Sequence, residues 1–173
     1  MPALNSADTK RIQSINGTFI YYGRPVDPCI LPACNDIGIQ QSSPTQKIVE
    51  ATNMLMDYLC TYPSATIRHH TSDMCLQISS GASYLVLPKA RSRVAGHFFL
   101  SNQPPPNKNT SPVPNYSILT EFFTLCNIMS SAVESETQTV FHNGKTAVPI
   151  RRTLQVVAHP QPPTPIKTSL ALS

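Results

Sequence analysis

Charge is scarce in this chain. Charged residues make up 13% of its 173 positions, about half of the roughly 25% usual for soluble domains. Acids are scarcer still toward the end: from residue 67 onward only Asp73, Glu121, Glu134 and Glu136 occur, and none follows Glu136. No apolar run approaches the roughly 18 residues of a membrane span, and no charged-then-apolar signal segment opens the chain. The cysteines, Cys29, Cys34, Cys60, Cys75 and Cys126, contain no C-x-x-C pair. Cys29 and Cys34 with His69 and His70 do not fit zinc-finger spacing. An odd number without close pairs suggests reduced, intracellular thiols, so intracellular localisation is expected. The Asn triplets at Asn16, Asn109 and Asn115 then read as coincidental glycosylation motifs. His97, His142 and His159 have no G-x-S-x-G nucleophile motif beside them. Gly81, Gly96 and Gly144 are isolated, so no glycine-rich phosphate loop is present.

Proline is abundant instead, at 17 residues, which marks a loop-rich chain. The formal charge of +4 permits nucleic-acid binding without requiring it. Residues 1–66 read as helical. Ile12, Ile15, Phe19 and Tyr22 give Ala7 to Arg24 one apolar face, and Leu31 to Gln41 reads as a short second helix. Thr45 to Thr61 carries Ile48, Thr52, Leu55 and Leu59 on one stripe, between Pro44 and Pro63, where helices tolerate proline.

From Met74 to Leu100 two strands are expected. Leu76 and Ile78 alternate with Gln77 and Ser79; small residues Ser80 to Ser83 interrupt; Val94 and His97 to Leu100 form the second run. The turn Pro88 to Arg93 is basic. It reads either as a solvated turn or as a phosphate contact. Asn102 to Pro114, with its triple proline, is a loop, and Ile118 to Leu125 a third strand. Ile128 to Thr146 is a helix with a capping box, Ser131 and Glu134, and an apolar face of Val133, Thr137, Val140 and Phe141. Pro149 to Ala158 is a second helix and Ile166 to Leu172 a last strand.

This strand-strand-strand-helix-helix-strand order, an α/β arrangement, and the segments KARSRVAGHFFL, SSAVESE, FHNGKTAVPIRR and HPQPPTPIKT resemble the ribonuclease H-like domain of copia-type retrotransposon polyproteins. Lys10 to Arg24, Leu31 to Ile37 and Thr45 to Pro63 resemble the helical tail of the same polyproteins' reverse transcriptase. The polymerase palm has no counterpart, for no Asp-Asp pair occurs. The resemblance implies two domains: a helical region, 1–66, and a ribonuclease H-like domain, 67–173. Its mixed sheet would be truncated, since the family's final strand and closing helix would lie beyond Ser173.

Such enzymes cut the RNA strand of an RNA–DNA hybrid with two Mg2+ ions about 4 Å apart, held by carboxylates. In this sequence the first-strand position, within Ser80-Gly81-Ala82-Ser83-Tyr84, is Gly81. The fourth-strand position is Ser169. Only the helix position keeps its acid, Glu136. The resemblance therefore implies a catalytically inactive fragment with no metal site and no small-molecule cofactor. It would bind nucleic acid weakly through Lys89, Arg91, Arg93, Arg151 and Arg152. Two other readings stay open: an active hybrid ribonuclease inside a larger reverse transcriptase assembly, and a host-adopted protein-interaction module. No membrane partner is expected.

Overall fold

The computed structural model describes residues 5–42, 44–102 and 115–157, and the backbone of 170–172. The chain divides into two compact units, Met1–Ile67 and Arg68–Ser173.

The first unit is helical. Helix α1 spans Ser6–Gly23, with the Asn5 side chain accepting from the Asp8 N–H at 2.8 Å as its N-cap. A 3₁₀ turn, Pro28–Ile30, leads into α2, Leu31–Gln40, and α3 follows at Gln46–Thr61. The stripe expected on α3 is the one buried: Ile48 and Leu55 meet Ile12, Ile30, Cys34 and Ile37, with Val49, Phe19 and Leu59 at the margin, and Thr52 is buried beside them. Burial also pushes the Cys34 thiol up to about 11, against a smaller opposing backbone hydrogen bond. That favours the inert, protonated form.

The second unit is α/β. Strands β1 (Cys75–Leu87), β2 (Arg91–Ser101) and β3 (Ser117–Thr124) precede helix α4 (Ala132–Val157) and strand β4 (Leu170–Leu172). The sheet order is β3-β2-β1-β4. The first three strands pair antiparallel, and β4 runs parallel to β1 through Ile78↔Leu170, Ser79↔Ala171 and Ser80↔Leu172. Along β1, Leu76, Ile78, Ser80 and Ala82 share a face with Val94, Gly96 and Phe98 of β2, following the two-residue period of strands. Helix α4 covers that face, where Ala147, Ile150 and Leu154 meet Leu76, Ile78 and Phe98.

Four expectations change here. First, β1 is not interrupted by its small residues: Ser80, Gly81, Ala82 and Ser83 each pair with β2, because a strand ladder is made by the backbone. Second, the connection after β1 is shorter than the basic turn expected. Only Pro88 to Ala90 form it, and Arg91 and Arg93 belong to β2. Lys89 and Ala90 have φ of 62° and 53°, the left-handed region that a tight reversal uses and that glycine enters most easily. Third, one helix replaces the two expected around Pro149. The missing proline N–H leaves one turn unclosed, but Ile150 and Leu154 beyond it anchor on the sheet, and the helix continues to Val157. That helix starts at Ala132 rather than Ile128, with Ser131 before it. Fourth, the apolar face assigned to α4 points outward. Val133 and Phe141 are exposed, while Ser135, Thr139, Asn143 and Ala147 are buried. The loop from 103 to 114, the connector from 159 to 165 and Ser169 lie outside the described residues.

Candidate functional site

Glu136 reaches the strand next to Gly81 but not Gly81 itself. Glu136 sits in the first turns of α4, and its Oε1 accepts from the Ala82 N–H of β1 at 3.2 Å, one residue past Gly81. The packing around it is apolar: Val94, Leu125 and Met129 form a small core with Ala82, Tyr84 and Phe123. Glu136 Oε2 is buried with no hydrogen-bond partner. The helix start that positions Glu136 is a capping box whose return bond is shifted to the residue before the cap. The Glu134 N–H donates to Ser131 Oγ at 3.1 Å, and Glu134 Oε2 accepts from the Ser130 N–H at 2.6 Å. Glu134 is therefore engaged at the helix end and turned away from Glu136.

The other acids do not converge on this junction. Glu121 pairs with Gly96 in the ladder and lies on β3, two strands from β1, or about 10 Å at the usual strand spacing. Its Oε2 is taken by Thr146 Oγ1 at 3.2 Å and His142 Nε2 at 3.3 Å on α4. Asp73 precedes β1 at the opposite end, about 26 Å from Gly81 along an extended chain; its N–H donates to Asn102 Oδ1 at 3.1 Å. Among the described residues, no group of three or more His, Cys, Asp or Glu could hold a metal ion. One carboxylate, with one oxygen already bonded to the backbone, does not fit a pair of Mg2+ ions, which need several oxygen ligands.

The basic residues form two separate groups. Lys89 is exposed at the tip of the β1–β2 connection and Arg91 opens β2 opposite Leu87. Arg93 lies on the sheet face away from α4, its guanidinium 5.9 Å from the centre of the Phe122 ring. Arg151 and Arg152 belong to the far half of α4, which packs beside Leu76 and Leu100. Six strand residues separate that end from Ala82, roughly 20 Å. The five cations cannot act as one patch.

A polar contact that the sequence reading passed over joins the sheet to α4. The buried Asn143 donates from Nδ2 to Ser80 Oγ at 2.8 Å and to the Ala95 carbonyl at 3.2 Å. Gly96 makes room for it: a Cβ there would stand 2.5 Å from Asn143 Oδ1. The available signal was the four-residue spacing of Ser135, Thr139, Asn143 and Ala147, which places small and polar residues on one helix face. On the opposite sheet face His97 bonds Thr120 Oγ1 at 3.3 Å. Burial lowers its pKa, against a smaller raising contribution from a hydrogen bond to the Asn115 backbone.

In the helical unit, α1 and α3 enclose a cavity of about 360 Å³ with a mixed lining that includes Asp8, Arg11, Ile15, Gln46, Asn53 and Met56. None of the candidate site residues read from the sequence lines it. No helix among the described residues is long and apolar enough to cross a membrane. Comparison with protein-family models, with curated proteins and with solved structures finds no match to this chain.

Proposed function

We propose that the second unit is a degenerate ribonuclease H-like domain of copia-type retrotransposon origin, preceded by a remnant of the reverse transcriptase tail. In this reading it does not cleave RNA–DNA hybrids and binds nucleic acid weakly. The observation that carries it is that Glu136 of α4 accepts from the backbone of β1 at Ala82, beside Gly81, within a sheet of order β3-β2-β1-β4. A first-strand acid and a first-helix acid must converge to share metal ions; here Gly81 alternates onto the sheet face away from α4, and Glu136 meets only the backbone of β1 beside it. With glycine at the strand position a single carboxylate remains, and it serves as a backbone acceptor.

Binding rests on Lys89, Arg91 and Arg93 at the hairpin end, with Arg151 and Arg152 as a separate contact. Such contacts neutralise phosphates and carry no sequence information. Three phosphate contacts imply that raising salt from about 50 to about 200 mM weakens binding by roughly 40-fold. Fluorescence anisotropy with a labelled hybrid, at both salt concentrations, reads this directly. Alanine at Lys89, Arg91 and Arg93 together should abolish most of the salt-dependent part. Binding that ignores salt, or survives the triple substitution, contradicts the proposal.

A second reading, an interaction module built on the same scaffold, is favoured by one observation: the exposed apolar face of α4.

A further inference from the structure

Helix α4 is inverted relative to an ordinary surface helix, which turns its apolar stripe inward. Ser135, Thr139, Asn143 and Ala147 are buried on the sheet, while Val133, Phe141, Val148 and Val156 are 75%, 57%, 51% and 78% exposed. At 3.6 residues per turn, these four apolar side chains fall within an arc of about 140°, opposite the buried stripe. Their spacing is self-complementary. Val133 and Val156 are equidistant from the midpoint between Gly144 and Lys145, and so are Phe141 and Val148.

We propose that this face is an interface between two copies of the chain, with their α4 helices packed antiparallel about a two-fold axis between Gly144 and Lys145. In that arrangement Val133 of each copy meets Val156 of the partner subunit, and Phe141 meets Val148 of the partner subunit. A two-fold interface requires such reciprocity, because one patch must be complementary to itself. Gly144 sits at the crossing point, and a Cβ built there meets nothing within 4 Å. The helix therefore presents bare backbone where two helices must come closest, 8–10 Å axis to axis.

The charges have the same symmetry. On the outer side of α4 the acid Glu134 lies in the first turn, and the cations Lys145 and Arg152 in the second half, while Glu136 is turned to the sheet. Antiparallel pairing sets Arg152 against Thr137 of the partner subunit, one turn from the partner's Glu134. Parallel pairing would bring like charges together. Lys145 covers the Phe141 ring at 4.4 Å, so its aliphatic stem extends the apolar surface toward the axis. A single helix pair is a small interface, under about 1,200 Å² in total, and fits a dimer that forms at micromolar concentration. The dimer engages Arg152 and removes it from any contact with nucleic acid; it leaves Lys89, Arg91 and Arg93 untouched.

Sedimentation equilibrium of the full chain over about 1 to 300 μM tests this. The mass-average should rise from one chain to two and stop there. Each substitution acts twice in a two-fold interface. Thr137→Glu, facing Arg152 of the partner subunit, should tighten association roughly threefold to tenfold, and Thr137→Arg should weaken it by a similar factor. Phe141→Ser should weaken it by more than about tenfold. Thr137 and Phe141 are exposed in the single chain, so circular-dichroism melts taken well below the association range should stay close to wild type. A chain that stays monomeric both as wild type and as Thr137→Glu overturns the proposal. So does mass that grows past two, or a shift in the same direction for Thr137→Glu and Thr137→Arg.

Discussion

Replacing Gly96 by alanine probes the joint between sheet and helix. Gly96 has no positive φ, so its backbone accepts any residue, and in open space the change would stabilise by about 0.5–1 kcal/mol. The space is not open. The new Cβ would lie 2.5 Å from Asn143 Oδ1, 2.8 Å from its Cγ and 3.0 Å from its Nδ2, and the Asn143 side chain is fully buried. Moving it breaks the bonds to Ser80 Oγ and the Ala95 carbonyl, worth about 1 kcal/mol each. Overpacking adds about 1–3 kcal/mol. The net loss is roughly 2–4 kcal/mol, or a fall in melting temperature of roughly 10–25 °C for a unit of this size. Thermal unfolding followed by circular dichroism measures it. The double substitution gives the sharper test. Asn143→Ala alone strands Ser80 Oγ and the Ala95 carbonyl, costing about 1–3 kcal/mol. With that side chain gone, Gly96→Ala should cost nothing or stabilise slightly. A clash predicts strong non-additivity between the two. Additive effects, or a neutral Gly96→Ala in the wild-type chain, would refute the reasoning.

Two further predictions concern the hairpin and its neighbour strand. Ala90 holds φ at 53°, where an L-residue loses roughly 1–2 kcal/mol and glycine does not; Ala90→Gly should therefore raise the urea midpoint by an amount equivalent to about 1 kcal/mol, and a lowered midpoint would show that the turn is not strained. His97 has its folded pKa lowered from the ordinary 6.5, chiefly by burial. Above that value both states are neutral and nothing changes. Below it the unfolded chain takes the proton first, so stability falls as pH drops through and below that value. Urea midpoints at about pH 7.5 and pH 5 should converge in His97→Gln relative to wild type; an unchanged difference removes His97 as a source of the slope.

Much of the backbone plan could be read from the sequence. The α3 stripe of Ile48, Thr52 and Leu55 was legible because a 3.6-residue period between two prolines has one interpretation. The start of α4 was legible because Ser131 and Glu134 satisfy each other's neighbourhood locally. What stayed hidden depended on partners distant in sequence. Val133 and Phe141 look like a core face until Gly96 and Ser80 are known to lie opposite Asn143, where only a small or polar side chain fits. Pro149 looks like a helix boundary until Ile150 and Leu154 are seen anchored on the sheet. Glu121 could have faced either side of β3; the ladder to Gly96 decides it, and His142 then occupies it. The positive φ values at Lys89 and Ala90 had no glycine or asparagine to announce them. Of the candidate site, the expectation that Gly81 and Glu136 belong together came from the family resemblance rather than from periodicity; the structure brings Glu136 to Ala82 instead. The split of the five cations into two groups needed the direction of α4 across the sheet.

Incubation of the purified full chain with a labelled RNA–DNA hybrid, in Mg2+ and separately in Mn2+, tests the central claim most directly. A single carboxylate at the Gly81–Glu136 junction predicts no product above the protein-free control with either ion. Cleavage that appears with metal and disappears in Glu136→Gln would contradict it, and would show that the site finds its remaining ligands.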